Sequence, residues 1–195
     1  MKPDAALVVA TPRALKLHGG GGIAKAGMSL PPGLTAPNQD ALEKGIGNLE
    51  QHIANVKSYG MSVVIAINAF QGDTQEEWDY VMRRAIAAGA VGAAVSSHWA
   101  DGGKGAEALA DAVVTACRQP SDFKLLYPNS MPIKQKIETV ARRMYGTDGV
   151  VFEAGVKEAI QTATRLDFGE WPVCLAKTPL SLSHDPALKG IYGTD

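Results

Sequence analysis

The chain has 195 residues with 46% hydrophobic and 20% charged residues, enough to bury a real core in one domain or two small ones. Nineteen basic against 20 acidic residues give a net charge of −1, which excludes the basic excess that nonspecific nucleic-acid binding needs. No run approaches the ~18 apolar residues of a membrane span, and the two cysteines, Cys117 and Cys174, lack any CxxC spacing, which fits a reduced, cytoplasmic setting.

"ALVVATP", Ala6 to Pro12, reads as a buried strand that Pro12 stops. Asp4 and Pro3 spoil a secretory reading of the same stretch. A buried strand so close to Met1 reads as a chain that begins inside a fold. A Gly- and Pro-rich segment, "KLHGGGGIAKAGMSLPPGLTAPN", is expected to be a long loop. Asn38 or Asp40 then caps one helix running to about Tyr59, with Leu42, Ile46, Leu49, Ile53 and Val56 on one face and Gly60 ending it.

The second strand is Met61–Asn68. Thr74 and Glu77 form a capping box that opens a helix with Trp78, Val81, Met82 and Ile86 on its apolar face, closed by Gly89. "AVGAAVSS" is a third strand. "DGGKG" turns the chain into a helix over "AEALADAVVTACRQ". Strand and helix alternate three times, the rhythm of a parallel α/β sheet. Ligands of such sheets sit beyond the carboxyl ends of the strands. Pro12-Arg13, Asn68-Ala69-Phe70 and His98-Trp99 all fall there. After Pro120 the sequence suggests helices over Ile133–Met144 and Glu153–Arg165 and a strand at Pro172–Ala176. The expected division is therefore 1–119, a parallel-sheet domain, and 120–195, a smaller α/β lobe with a polar tail.

The chemistry-bearing motifs are sparse. Neither "HGGGGIAKAG" nor "DGGKGAE" has the GK(S/T) ending of a phosphate loop, since Gly105 follows Lys104. A helix starting near Gly105 would still offer free N–H groups to an anion. His18, His52, His98 and His184 have no metal-ligand spacing, and no metal site is expected. "SLSHDP" cannot act as a triad because adjacent residues do not reach one another in that geometry. Lys177 reads either as a solvated strand end or as an anion contact. Phe70 and Trp99, 29 positions apart, each follow a strand. On neighbouring strands they would face each other across a cleft suited to a flat heteroaromatic ligand. The alternative is that each ring merely covers the end of the sheet.

The blocks "ALVVATPRALKLHGG", "VVIAINAFQGDT", "HWADGGKGAEALADAV", "MYGTDGV" and "FGEWPVCLAKTPLSLSHDP", in this order, resemble the formate–tetrahydrofolate ligase family. The resemblance spans nearly the whole chain and is closest in flavour to the synthetase domain of C1-tetrahydrofolate synthases. It implies part of a three-layer, mostly parallel α/β sheet of P-loop NTPase-like type. It also implies a reaction: ATP, with Mg, phosphorylates formate, and tetrahydrofolate attacks the formyl phosphate. An aromatic pair that sandwiches the folate pteridine in the family maps to Phe70 and Trp99. Val95 would line the same cleft. Arg13, Gly102, Gly103 and Lys104 would be anion or nucleotide contacts. The family's phosphate loop, of TPxGEGK(S/T) type, lies upstream of the block at which this chain starts, and Pro12 stands where the family usually has Val or Ile. The resemblance thus implies no synthetase activity for this chain alone and a separate N-terminal ligase segment as its partner. It also implies an open sheet edge through which the chain self-associates.

Overall fold

The computed structural model describes residues 2–25, 27–175 and 182. Three parallel strands, β1 (Ala5–Ala10), β2 (Ser62–Asn68) and β3 (Gly92–Ser96), lie in the order β1-β2-β3. Val8 pairs with Ile65 and Ile67 with Val95, so all three carboxyl ends share one edge.

The first departure from expectation follows β1 directly. Thr11 accepts a hydrogen bond from the Ala14 amide, and Pro12 takes the first helical position of α1 (Pro12–His18). Proline there surrenders an N–H that would have been unpaired anyway. Pro12 therefore starts a helix as well as following a strand. The Gly-rich segment after it contains one short helix, α2 (Pro32–Thr35).

The long helix expected up to Tyr59 is two. Asn38 caps α3 (Gln39–Gly45), and α4 (Gly47–Lys57) follows after Ile46. The cause is a close crossing of backbones. A Cβ on Gly45 would sit 1.8 Å from the Leu15 carbonyl oxygen, and one on Gly19 would sit 1.7 Å from that of Ala41. Only glycine lets α1 and α3 touch there.

The capping box at Thr74 and Glu77 forms as expected and opens α5 (Gln75–Ala87). After β3 come α6 (His98–Asp101), a 3-10 turn (Gly102–Ala106) and α7 (Glu107–Cys117). The core lies between the sheet and the helices α1, α3, α4 and α5. It includes Val63, Ile65 and Ile67 from β2 against Leu15, Leu42, Ile46, Ile53 and Val81. At about 1.5–3 kcal/mol per fully buried aliphatic side chain, this cluster is the main stabilising element. On the opposite face, Val64, Ala66 and Ala94 are buried, as is Ala116 of α7. Leu7 and Val9 share that face by register but are 48% and 62% exposed on the outer strand.

Residues 120–124 fasten to the amino edge of the sheet. Asp122 N donates to Gly60 O, Lys124 N to Tyr59 O and Ser121 Oγ to Pro3 O, while Phe123 stacks on Tyr59. Beyond lie α8 (Ile133–Tyr145) and α9 (Val156–Arg165). The strand expected at Pro172–Ala176 is not formed over residues 172–175, and Ala176 lies outside the described residues. There the backbone is held by side chains instead. Lys136 Nζ donates to Gly169 O and Trp171 O, and Val173 N donates to the Tyr127 hydroxyl. No described helix is long and apolar enough to cross a membrane.

Candidate functional site at the strand carboxyl ends

Past Asn68 the ladder makes one more bond, from Ala69 N to Ser96 O at 3.0 Å. This bond lies beyond the last residue pair of β2 and β3 and fixes the two exits side by side. Phe70 and Trp99 leave the sheet from these adjacent exits.

Phe70 sits in a tight turn. Its amide donates to Asp73 Oδ2 at 2.9 Å, and Asp73 N donates back to Phe70 O. Gly72 has a φ of 96°, and a Cβ there would lie 2.4 Å from Thr35 O, so the turn backs onto α2. Arg13, in the first turn of α1, donates from Nη2 to Gln71 O at 2.8 Å. Its guanidinium lies 4.5 Å from the centre of the Phe70 ring. The ring remains 41% exposed. Arg13 therefore touches both the Phe70 ring and the turn that carries it. The enclosed atoms Arg13 Nε and Asp73 Oδ1 have no hydrogen-bond partner among the described residues.

Trp99 lies in α6 and is 90% exposed. The rings in contact among the described residues are Tyr59 with Phe123 and Phe168 with Trp171, so Phe70 and Trp99 do not stack directly. The base of α6 is well ordered by polar contacts. Ser96 Oγ and His98 Nδ1 are 2.9 Å apart, Ser97 Oγ donates to Asp101 Oδ2, and Ser97 N donates to Gly105 O. Gly105 must be glycine, since its Cβ would fall 2.6 Å from Ser97.

Val95 packs against the main hydrophobic cluster, opposite Ile67. Gly102, Gly103 and Lys104 are exposed beside Trp99. They are wound into the 3-10 turn, and α7 begins only at Glu107. A carboxylate in its first turn makes that helix start a poor anion site. The helix expected to start near Gly105 thus starts at Glu107.

Nearly the whole chain matches a family model. The model of formate–tetrahydrofolate ligases covers residues 1–193. The chain belongs to the formate–tetrahydrofolate ligase family. It is 49% identical over 191 residues to the formate–tetrahydrofolate ligase of Desulforamulus reducens, covering 98% of this chain and 34% of the relative. The ligase of Dehalococcoides mccartyi is 48% identical over 194 residues, covering 99% of this chain and 32% of the relative. The cytoplasmic C-1-tetrahydrofolate synthase of Homo sapiens is 43% identical over 189 residues, 97% of this chain and 20% of that protein. The chain thus spans about a third of the length of the bacterial ligases it matches.

The described residues of this ligase-family chain contain no group of three or more His, Cys, Asp or Glu side chains placed to hold a metal. Lys104, the one lysine in a Gly-rich turn after a strand, is followed by glycine and lacks the hydroxyl that would reach Mg. Cys117 and Cys174 are both free and exposed. Lys177 and His184 lie outside the described residues.

Proposed function

We propose that this chain supplies the reduced-folate wall of a formate–tetrahydrofolate ligase, with Phe70 and Trp99 as the two faces between which the pteridine stacks. The Ala69 N to Ser96 O bond carries this reading, because it sets the exits that bear the two rings next to each other. Phe70 has one face against Arg13 and is still 41% exposed, while Trp99 is 90% exposed. Each ring has surface left for a flat heteroaromatic partner, at about 0.5–1.5 kcal/mol per aromatic pair beyond area burial. Val95 lies on the strand leading to Trp99 and forms the floor. Gly102, Gly103 and Lys104 are assigned to an anionic group of the ligand or nucleotide. The sheet is read as part of a larger sheet of P-loop NTPase-like type, to which β1, an outer strand of the three, offers an edge.

The complete reaction in this proposal is ATP-dependent formylation of tetrahydrofolate through formyl phosphate. This chain holds the folate side of it. A separate segment bearing the GEGK(S/T) loop supplies the ATP side, and the location is the cytoplasm, as in the name of the human relative. Tetrahydrofolate titrated into the full chain is expected to quench tryptophan fluorescence. The quench should vanish in Trp99→Ala while the far-UV circular dichroism is unchanged. A titration without quenching would refute the clamp. The chain alone is expected to form no 10-formyltetrahydrofolate from ATP, formate and tetrahydrofolate, and measurable turnover would refute that division of labour.

A second reading, a non-catalytic folate- or nucleotide-binding module, is favoured by the glycine that follows Lys104 in place of the hydroxyl of a phosphate loop. Adding a GEGK(S/T)-bearing ligase segment decides between the two: activity on mixing supports the first, and none supports the second.

A further inference from the structure

Lys16, like Lys136, is a lysine without exposed surface. It stands three residues after Arg13, on the same side of α1, close to the ligand-facing edge. A lysine there would ordinarily point into water and meet an anion. Instead it is fully buried. Its Nζ donates to Glu77 Oε1 at 2.9 Å and to Ala36 O at 3.0 Å. Glu77 is 2% exposed. Its Oε1 also accepts from Asn38 N at 3.1 Å, and its Oε2 accepts from Thr74 N at 3.3 Å.

The Glu77 carboxylate therefore does more than close a capping box. It ties three pieces of chain to one point: α1 through Lys16, the junction of the Gly-rich segment and α3 through Asn38, and the Phe70 turn through Thr74. Removing two charges from water is expensive, and an apolar pair of similar volume would stabilise the fold as well or better. What the ion pair adds is direction, because each donor and acceptor is satisfied in only one arrangement. The arrangement it selects places α1, and with it Arg13, against the Phe70 turn.

We propose that Lys16 and Glu77 are positioning residues that preset the Phe70 ring, through α1 and Arg13, for stacking on the ligand. Only the ligand arm of this proposal rests on the folate reading. The turn is fastened by the chain's own contacts, at Gln71 by Arg13, at Gly72 by α2 and at Thr74 by Glu77. A preset wall binds more tightly because the ordering entropy is already spent in folding.

The test compares the full chain with the double variant Lys16→Met/Glu77→Leu, which removes both buried charges together. Amide hydrogen exchange is read at residues 70–77 and, as internal reference, at residues 63–67 of β2. Exchange is expected to rise about tenfold or more at 70–77, from the loss of charge-assisted hydrogen bonds, and to stay unchanged in β2. Tetrahydrofolate affinity should fall about tenfold in step with the looser turn. Arg13→Leu, at a half-buried site that leaves no buried charge behind, should loosen residues 70–73 alone and provides the same comparison if the double variant does not fold. Equal exchange at 70–73 in wild type and in whichever variant folds would overturn the proposal, as would a rise of the same size in β2, which would mark a purely structural role. If wild type does not bind tetrahydrofolate, the folate reading falls and the exchange comparison still decides the positioning role.

Discussion

Substituting Gly45 by alanine probes the crossing on which the site is built. The new Cβ would lie 1.8 Å from Leu15 O and 2.8 Å from Gly19 N, whereas ordinary contact begins at 3.4 Å. Both obstacles are backbone, so no rotamer change relieves them, and α1 and α3 must part by well over an ångström. Overpacking of this kind costs about 1–3 kcal/mol. The hydrogen bond from Gly19 N to Leu15 O, 3.0 Å long, lies in the same spot, and straining it adds about 1 kcal/mol. Against this stands the better helix propensity of alanine, at most about 1 kcal/mol and less at the last residue of α3. The clash wins, and the expected loss is about 2–3 kcal/mol, a large fraction of a typical domain stability. Urea unfolding followed by circular dichroism measures it, with Gly103→Ala as control, since nothing lies within 4 Å of a Cβ there. A Gly45→Ala chain as stable as the control variant would refute the argument that contact of the two helix backbones requires this glycine. The same variant should weaken tetrahydrofolate binding, because α1 carries Arg13.

Three other expectations follow from the same packing. Ile65→Ala removes a fully buried side chain at the centre of β2 and should cost about 2–5 kcal/mol in chemical denaturation. Thr74→Ala deletes the cap of α5 and should cost about 1 kcal/mol, with faster exchange of the Glu77 amide as its local signature. Val9→Lys, on the exposed face of the outer strand, should leave stability within about 0.5 kcal/mol and lower any self-association seen by sedimentation.

The parts of the fold legible in the sequence are those whose cause is local. Val63 to Ile67 is a continuous apolar run, and Thr74 with Glu77 satisfies a capping rule within four residues, so β2 and the start of α5 are read correctly. The placement of Phe70 and Trp99 at one edge follows from strand rhythm alone. Other features depend on partners distant in sequence. Thr11 and Pro12 carry a local start signal for α1, yet proline after an apolar run reads more readily as a stop. The division between α3 and α4 comes from Leu15 pressing on Gly45, which no 3.6-residue period reveals. Lys16 is the hardest, since its partners Ala36 and Glu77 lie 20 and 61 residues away. In the sequence only the spacing of Arg13 and Lys16, one helical turn apart, hints that both serve α1.

The attachment of residues 120–124 has a consequence for how the molecule transmits change. It grips Gly60, Tyr59 and Pro3, all at the amino edge of the sheet, while Phe70 and Trp99 leave from the carboxyl edge. The two edges are separated by the length of the strands. Occupation of the aromatic cleft should leave the protease sensitivity of residues 125–175 as it was, and insertions near Asn129 should leave ligand affinity intact. The two ends of the sheet are thereby free to change independently.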